Sequence, residues 1–92
     1  MTDYRVREGI LLREIAGEYM LIAVGEAAKV CPSIKKMNES AAFVWRLLAE
    51  GKTTKDLLRA VAETYGEPEE TVGEPLLRIL RELQELAYIE ET

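Results

Sequence analysis

Histidine is missing from this 92-residue chain. Its absence removes the commonest general base and the commonest metal ligand together. No Ser–His or Cys–His catalytic pair can be built without it. Cysteine occurs once, at Cys31. A lone thiol forms no internal disulfide, so the chain reads as a cytoplasmic protein. No apolar run is long enough to cross a bilayer, and no basic-then-apolar leader marks export. Basic charge is also short: 12 Lys and Arg stand against 17 Asp and Glu, a net charge of −5. Phosphate binding needs a basic face, so the balance argues against nucleic acid as a partner. There is no internal repeat and no phosphate-cradling glycine loop, because Gly51 and Gly66 fall at helix ends.

What is present is an ordinary globular balance, 48% hydrophobic and 32% charged. Its length suits one domain, residues 1–92, around one core. Residues 1–9 are polar, with Tyr4 and Val6 as a weak extended lead-in. Ile10–Ile15 is apolar enough for a strand, and Ala16-Gly17-Glu18 reads as a tight turn. Tyr19–Val24 is a continuous apolar run of β-formers, suited to a central strand. Cys31-Pro32 leads into a third strand, Ser33–Met37. Adjacent strand residues face opposite ways, so Lys35 and Lys36 put charge on both faces and place this strand at a sheet rim.

The helical half follows directly. Asn38 or Ser40 can cap a helix over roughly 39–50, with Ala41, Val44, Trp45 and Leu48 on one buried stripe. Thr53 and Asp56 form a capping-box pattern before Leu57, Leu58, Val61, Ala62 and Tyr65. Pro68 suits the first position of a third helix, whose stripe is Val72, Leu76, Ile79, Leu80, Leu83 and Leu86. Pro75 costs ~3 kcal/mol inside a helix. The sequence therefore predicts a kink there, or a short turn before a helix starting near Glu74, and Gly73 favours the break. Tyr88-Ile89-Glu90 reads as a short closing strand or wing. The fold class is α+β: a three-stranded antiparallel sheet, three helices and a C-terminal wing, in winged helix-turn-helix order.

Catalytic groups are scarce. Cys31 reads as a buried inert thiol, Glu69, Glu70 and Glu74 as a solvated helix start, and Trp45 as core. No residue set asks for a metal or cofactor, and the chain reads as non-enzymatic. Binding remains. The free side of Ser33, Ile34, Lys35, Lys36 and Met37 could accept an extended peptide as an added strand. The same lysines could merely discourage edge aggregation. Helical phasing offers Leu77, Arg78, Arg81 and Gln84 as a wall beside the strand. With Lys35 and Lys36 this wall would suit an acidic peptide. Two alternatives compete: a winged-helix DNA-binding regulator, and a homodimer formed through the free strand. The acidic start of the third helix disfavours the first, because it would repel phosphates.

The run Lys36-Met37-Asn38-Glu39-Ser40-Ala41-Ala42-Phe43-Val44-Trp45-Arg46-Leu47-Leu48, then Gly51 and Thr53–Leu58, resembles the PqqD-like proteins. These are the pyrroloquinoline quinone biosynthesis chaperones and related precursor-peptide recognition elements. The resemblance extends from about Leu12 to Ile89, and Asn-Glu-x-Ala-x-x-x-Trp is its most specific part. Ala87 stands where a Gly often precedes the wing, and Pro75 where an Asp is usual. The resemblance implies a non-catalytic carrier. It would bind the leader of a ribosomally made precursor on the third strand and present it to a modifying enzyme, often a radical S-adenosylmethionine enzyme.

Overall fold

The computed structural model describes residues 1–92. Strands β2 (Ile10–Ile15) and β3 (Glu18–Ala23) form a hairpin in which Ile15 opposes Glu18. Only Ala16 and Gly17 remain for the loop, with φ of 52° and 81°. Two positive φ values make the turn that matches the twist of the flanking strands. A short 3-10 turn over Gly25–Lys29 leads to β4 (Ile34–Met37), which pairs antiparallel with β3. The order is β2-β3-β4. The continuous apolar run is the central strand, as expected, and β4 lies at one rim. Leu21, Ala23 and Met37 point inward and are buried, while Ile34 points outward and is 60% exposed.

The helices start where the side-chain caps require. Asn38, not Ser40, caps α1 (Glu39–Ala49): its Oδ1 accepts from the Ala41 N–H at 2.8 Å. Thr53 and Asp56 exchange reciprocal 3.2 Å bonds before α2 (Thr54–Tyr65). Hydrogen bonding from the Thr53 hydroxyl, and after it from the Thr53 backbone N–H, holds the Asp56 carboxyl below the usual carboxylate range. The third helix, α3, runs from Glu69 to Glu85 without interruption. The expected break at Gly73 and Pro75 does not occur. Pro75 leaves the Thr71 carbonyl without its helical donor. Thr71 is exposed, so water can replace that bond. Packing does not demand a glycine at 73 either: a Cβ there would meet only Leu58 of α2, at an ordinary contact distance of 4.0 Å. Pro68 sits one position earlier than expected, as the cap, and its carbonyl accepts from Thr71 and Val72.

The polar lead-in and the wing are two halves of one feature. β1 (Tyr4–Val6) pairs antiparallel with β5 (Ile89–Glu91), Val6 opposite Ile89. Asp3 adds a bond that the sequence pattern does not announce, its carboxylate accepting the Thr54 N–H at 2.8 Å. Ala87, at φ 67°, turns the chain from α3 into β5. Its carbonyl accepts from Arg7 Nε at 2.6 Å and from Cys31 Sγ at 3.2 Å. The Tyr88 hydroxyl donates to the Pro32 carbonyl at 2.7 Å. Burial, and after it the neighbouring Cys31 thiol, raise the Tyr88 pKa, which keeps the hydroxyl a donor. The C-terminus thus clamps the segment that enters β4. The core between helices and sheet holds Leu21, Met37, Trp45, Leu57, Leu80, Leu83 and Tyr88, all buried.

Candidate functional site

The ladder fixes which backbone groups of β4 are free. Ala23 N–H donates to the Ser33 carbonyl at 2.9 Å, so Ser33 closes the ladder just outside the strand. Antiparallel bonds alternate along a strand. Opposite Leu21 and Tyr19, Lys35 and Met37 therefore direct their backbone groups at β3. Ile34 and Lys36 direct theirs outward, and no strand lies there. The free seam is two N–H and two C=O groups. It is bounded upstream, because the Pro32 carbonyl is already taken by Tyr88.

Beside the seam lies a groove of about 120 Å³. Lys35, Lys36 and Met37 line one side, Asn38 and Ala41 its end, and Ile79, Glu82 and Leu83 of α3 the other side. On α3 the groove is lined by Ile79, Glu82 and Leu83. Leu77, Arg78, Arg81 and Gln84 are absent from the lining. At ~100° per residue, Leu77, Arg81 and Gln84 lie roughly 140–200° around the axis from Ile79. Leu77 is 41% exposed on that far side, and Gln84 reaches Glu91 of β5 at 3.5 Å. The structure brings Lys35, Lys36 and Met37 to the groove, leaves Ser33 and Ile34 outside its lining, and turns Leu77, Arg81 and Gln84 away from it, while Arg78 stands one helical turn before Glu82 without lining it. Ile79 and Leu83 were legible as stripe residues. Glu82 carried its own signal: an acid set between Ile79 and Leu83, on the edge of an apolar stripe.

Both lysines already have partners. Lys35 Nζ pairs with Glu82 across the groove, and its side chain is only 22% exposed. Lys36 Nζ lies 2.8 Å from Glu18 on the outer face. The Glu18 bond, and after it the Glu18 charge, raise the Lys36 pKa. An acidic guest would have to compete with these carboxylates. The groove is thus closer to neutral than the lysines alone suggest, and neither Arg78 nor Arg81 lines it.

Other chemistry finds little support in the geometry. Cys31 is buried, with its thiol on the Ala87 carbonyl. No three Cys, Asp or Glu side chains converge closely enough to hold a metal ion. No helix is long and apolar enough to cross a membrane.

Comparison with known proteins fits this architecture. A solved structure described as "TbiB1 in Complex with the TbiA(beta) Leader Peptide" superposes with a TM-score of 0.76. It is 21% identical and covers 94% of each chain, a likeness of fold. No curated protein matches the chain. The sequence profile of the family described as Coenzyme PQQ synthesis protein D (PqqD) matches residues 32–89. The match starts at Pro32, so the β2–β3 hairpin falls outside it. It takes in β4, all three helices and the start of β5, which is more than half of the chain. The chain belongs to the PqqD family.

Proposed function

We propose that this protein is a leader-peptide recognition element. The guest adds to β4 as a fourth strand, lies in the groove against α3, and is handed to an enzyme that modifies the precursor. One observation carries the reading: an open strand edge and a helix-walled groove share residues Lys35–Met37. The family supports it, and the similar TbiB1 structure holds a leader peptide. In this reading the chain does no chemistry itself, works in the cytoplasm, and partners a radical S-adenosylmethionine enzyme. Self-pairing of β4 into a homodimer would compete with the guest for the same seam.

The energetics require the groove as well as the edge. Four backbone bonds contribute about 0.5–1.5 kcal/mol each, net. Ordering three guest residues costs about 1–2 kcal/mol each. The ladder alone therefore roughly cancels. Affinity must come from guest side chains buried against Met37, Ala41, Ile79 and Leu83.

Hydrogen exchange on the chain, mixed with a candidate leader peptide, tests the proposal. Lys35 and Met37 amides are already bonded to β3, so they change little. Ile34 and Lys36 amides, free before binding, should slow by at least about tenfold. Unchanged exchange at both, with saturating peptide, would sink the reading.

A further inference from the structure

A second cavity, of about 170 Å³, opens among the three helices next to the groove. Val44 of α1, Val61 and Tyr65 of α2, and Val72, Leu76 and Ile79 of α3 form most of its wall. The gap has a simple cause. Ser40, Val44, Val61, Val72 and Pro75 are small or β-branched, and the one larger side chain that α1 or α2 brings to the lining, Tyr65, is half exposed. Its polar groups sit in one place, where Ser40 Oγ donates to Tyr65 Oη at 3.3 Å. Tyr65 is 45% exposed and meets Phe43 edge to face, with ring centroids 6.3 Å apart.

This cavity continues the groove. Ile79 lines both, and the consecutive residues Ser40 and Ala41 line one each. Met37, Asn38 and Ala41 of the groove and Ser40 of the cavity fall within five consecutive positions, so the end of the β4 seam and the cavity rim are neighbours along the chain. The volume is informative too. An apolar cavity of about 150 Å³ stays dry and accepts benzene.

Building on the leader-peptide reading above, we infer that this cavity is an anchor pocket for one large apolar side chain of the guest, a benzene-sized ring. Antiparallel pairing is the more stable arrangement per residue. A guest antiparallel to β4 runs from the Met37 end toward Ile34, so the anchor stands N-terminal to the paired residues. The seam then supplies register, and the anchor selects which leader binds.

The test uses the full chain with methyl-labelled Val and Ile, and a synthetic leader peptide containing an aromatic residue. Nuclear Overhauser contacts are expected from one aromatic guest residue, N-terminal to the paired stretch, to the methyls of Val61, Val72 and Ile79. Replacing that residue with Ala should weaken binding about tenfold to a hundredfold. Val72→Phe, which fills the cavity from partly exposed α3, should do the same. At saturating peptide it should leave protection at Ile34 and Lys36 intact. Protection of Ile34 and Lys36 without contacts to Val61 or Val72 would overturn the anchor and leave the seam standing. Contacts from a small additive, a second copy of the chain, or a residue C-terminal to the paired stretch would also overturn it. No protection at Ile34 or Lys36 would bring down both. The methyl contacts are read on the unmutated protein, so the answer does not depend on Val72→Phe folding.

Discussion

Strands β2 and β4 are the two outer strands of one sheet, and each leaves a backbone edge unpaired. Val24 N–H donates to the Gly9 carbonyl, so by alternation Leu12 and Glu14 of β2 point their backbone groups away from β3. In hydrogen-bond terms the two edges are near equivalents. Their surroundings are not. Leu12 and Glu14 line none of the main cavities, and Arg13 donates from its own guanidinium to the Leu12 carbonyl at 3.1 Å. Beside β4 stands α3, and between them a groove. An added strand roughly breaks even on backbone bonds alone. The difference between a bare rim and a site is therefore the apolar wall beside it.

The strongest way to break that comparison is a matched pair of prolines. Ile34→Pro removes one outward N–H from β4, and Glu14→Pro does so from β2. Neither bond is used by β3, so both variants should fold with similar stability, as edge positions allow. Leader affinity should fall about tenfold to a hundredfold in Ile34→Pro. That variant loses one bond and strands the guest carbonyl that would have made it. Glu14→Pro should bind within twofold of the parent. Equal losses, measured by calorimetry, would mean that the wall beside β4 confers nothing.

A smaller effect is expected at the clamp that bounds the seam. Tyr88→Phe frees the Pro32 carbonyl, which shares its outward direction with Ile34. Pro32 is exposed, so water can take over the bond, and stability should fall by only about 1 kcal/mol. Leader binding should hold or rise slightly, because the seam gains an acceptor. A loss of binding at unchanged urea midpoint would show instead that Tyr88 sets the position of β4, and that the clamp belongs to the site.

How much of this was legible in the chain depends on whether the signal was local. Asn38, the Thr53–Asp56 box, Gly66 and the Ala16-Gly17 turn act on backbone within three residues, and each declared its element end. The adjacent lysines located the rim strand for the same reason. The β1–β5 pair was not readable, because residues separated by some eighty positions must find each other, and Tyr4 and Val6 carry little pattern of their own. The unbroken α3 was misjudged because Pro75 counts only a local cost. The fold holds the helix through Leu76, Leu80 and Leu83, all buried. The α3 lining of the groove was not legible for a reason of phase. Leu77, Arg78, Arg81 and Gln84 form a consistent helical face, but which face meets β4 is set by packing. The buried stripe occupies one sector, and the groove lies at that stripe's edge, where Ile79 and Glu82 stand.

The hairpin turn offers the mildest test of whether the two edges are independent. Ala16 holds φ 52°, a left-handed conformation that costs an L-residue about 1–2 kcal/mol. Asn tolerates it better, and Asn-Gly is the favoured pair for this turn. Ala16→Asn should recover about 0.5–1 kcal/mol, seen as a higher urea midpoint at unchanged slope. Gly17, already at φ 81°, needs no change. The gain tightens β2 against β3 and touches nothing in β4, so leader affinity should stay as it was. A shift in affinity that tracked the gain in stability would mean that β3 transmits strain between its neighbours. The open rim of β2 would then be a remote part of the site and not its control.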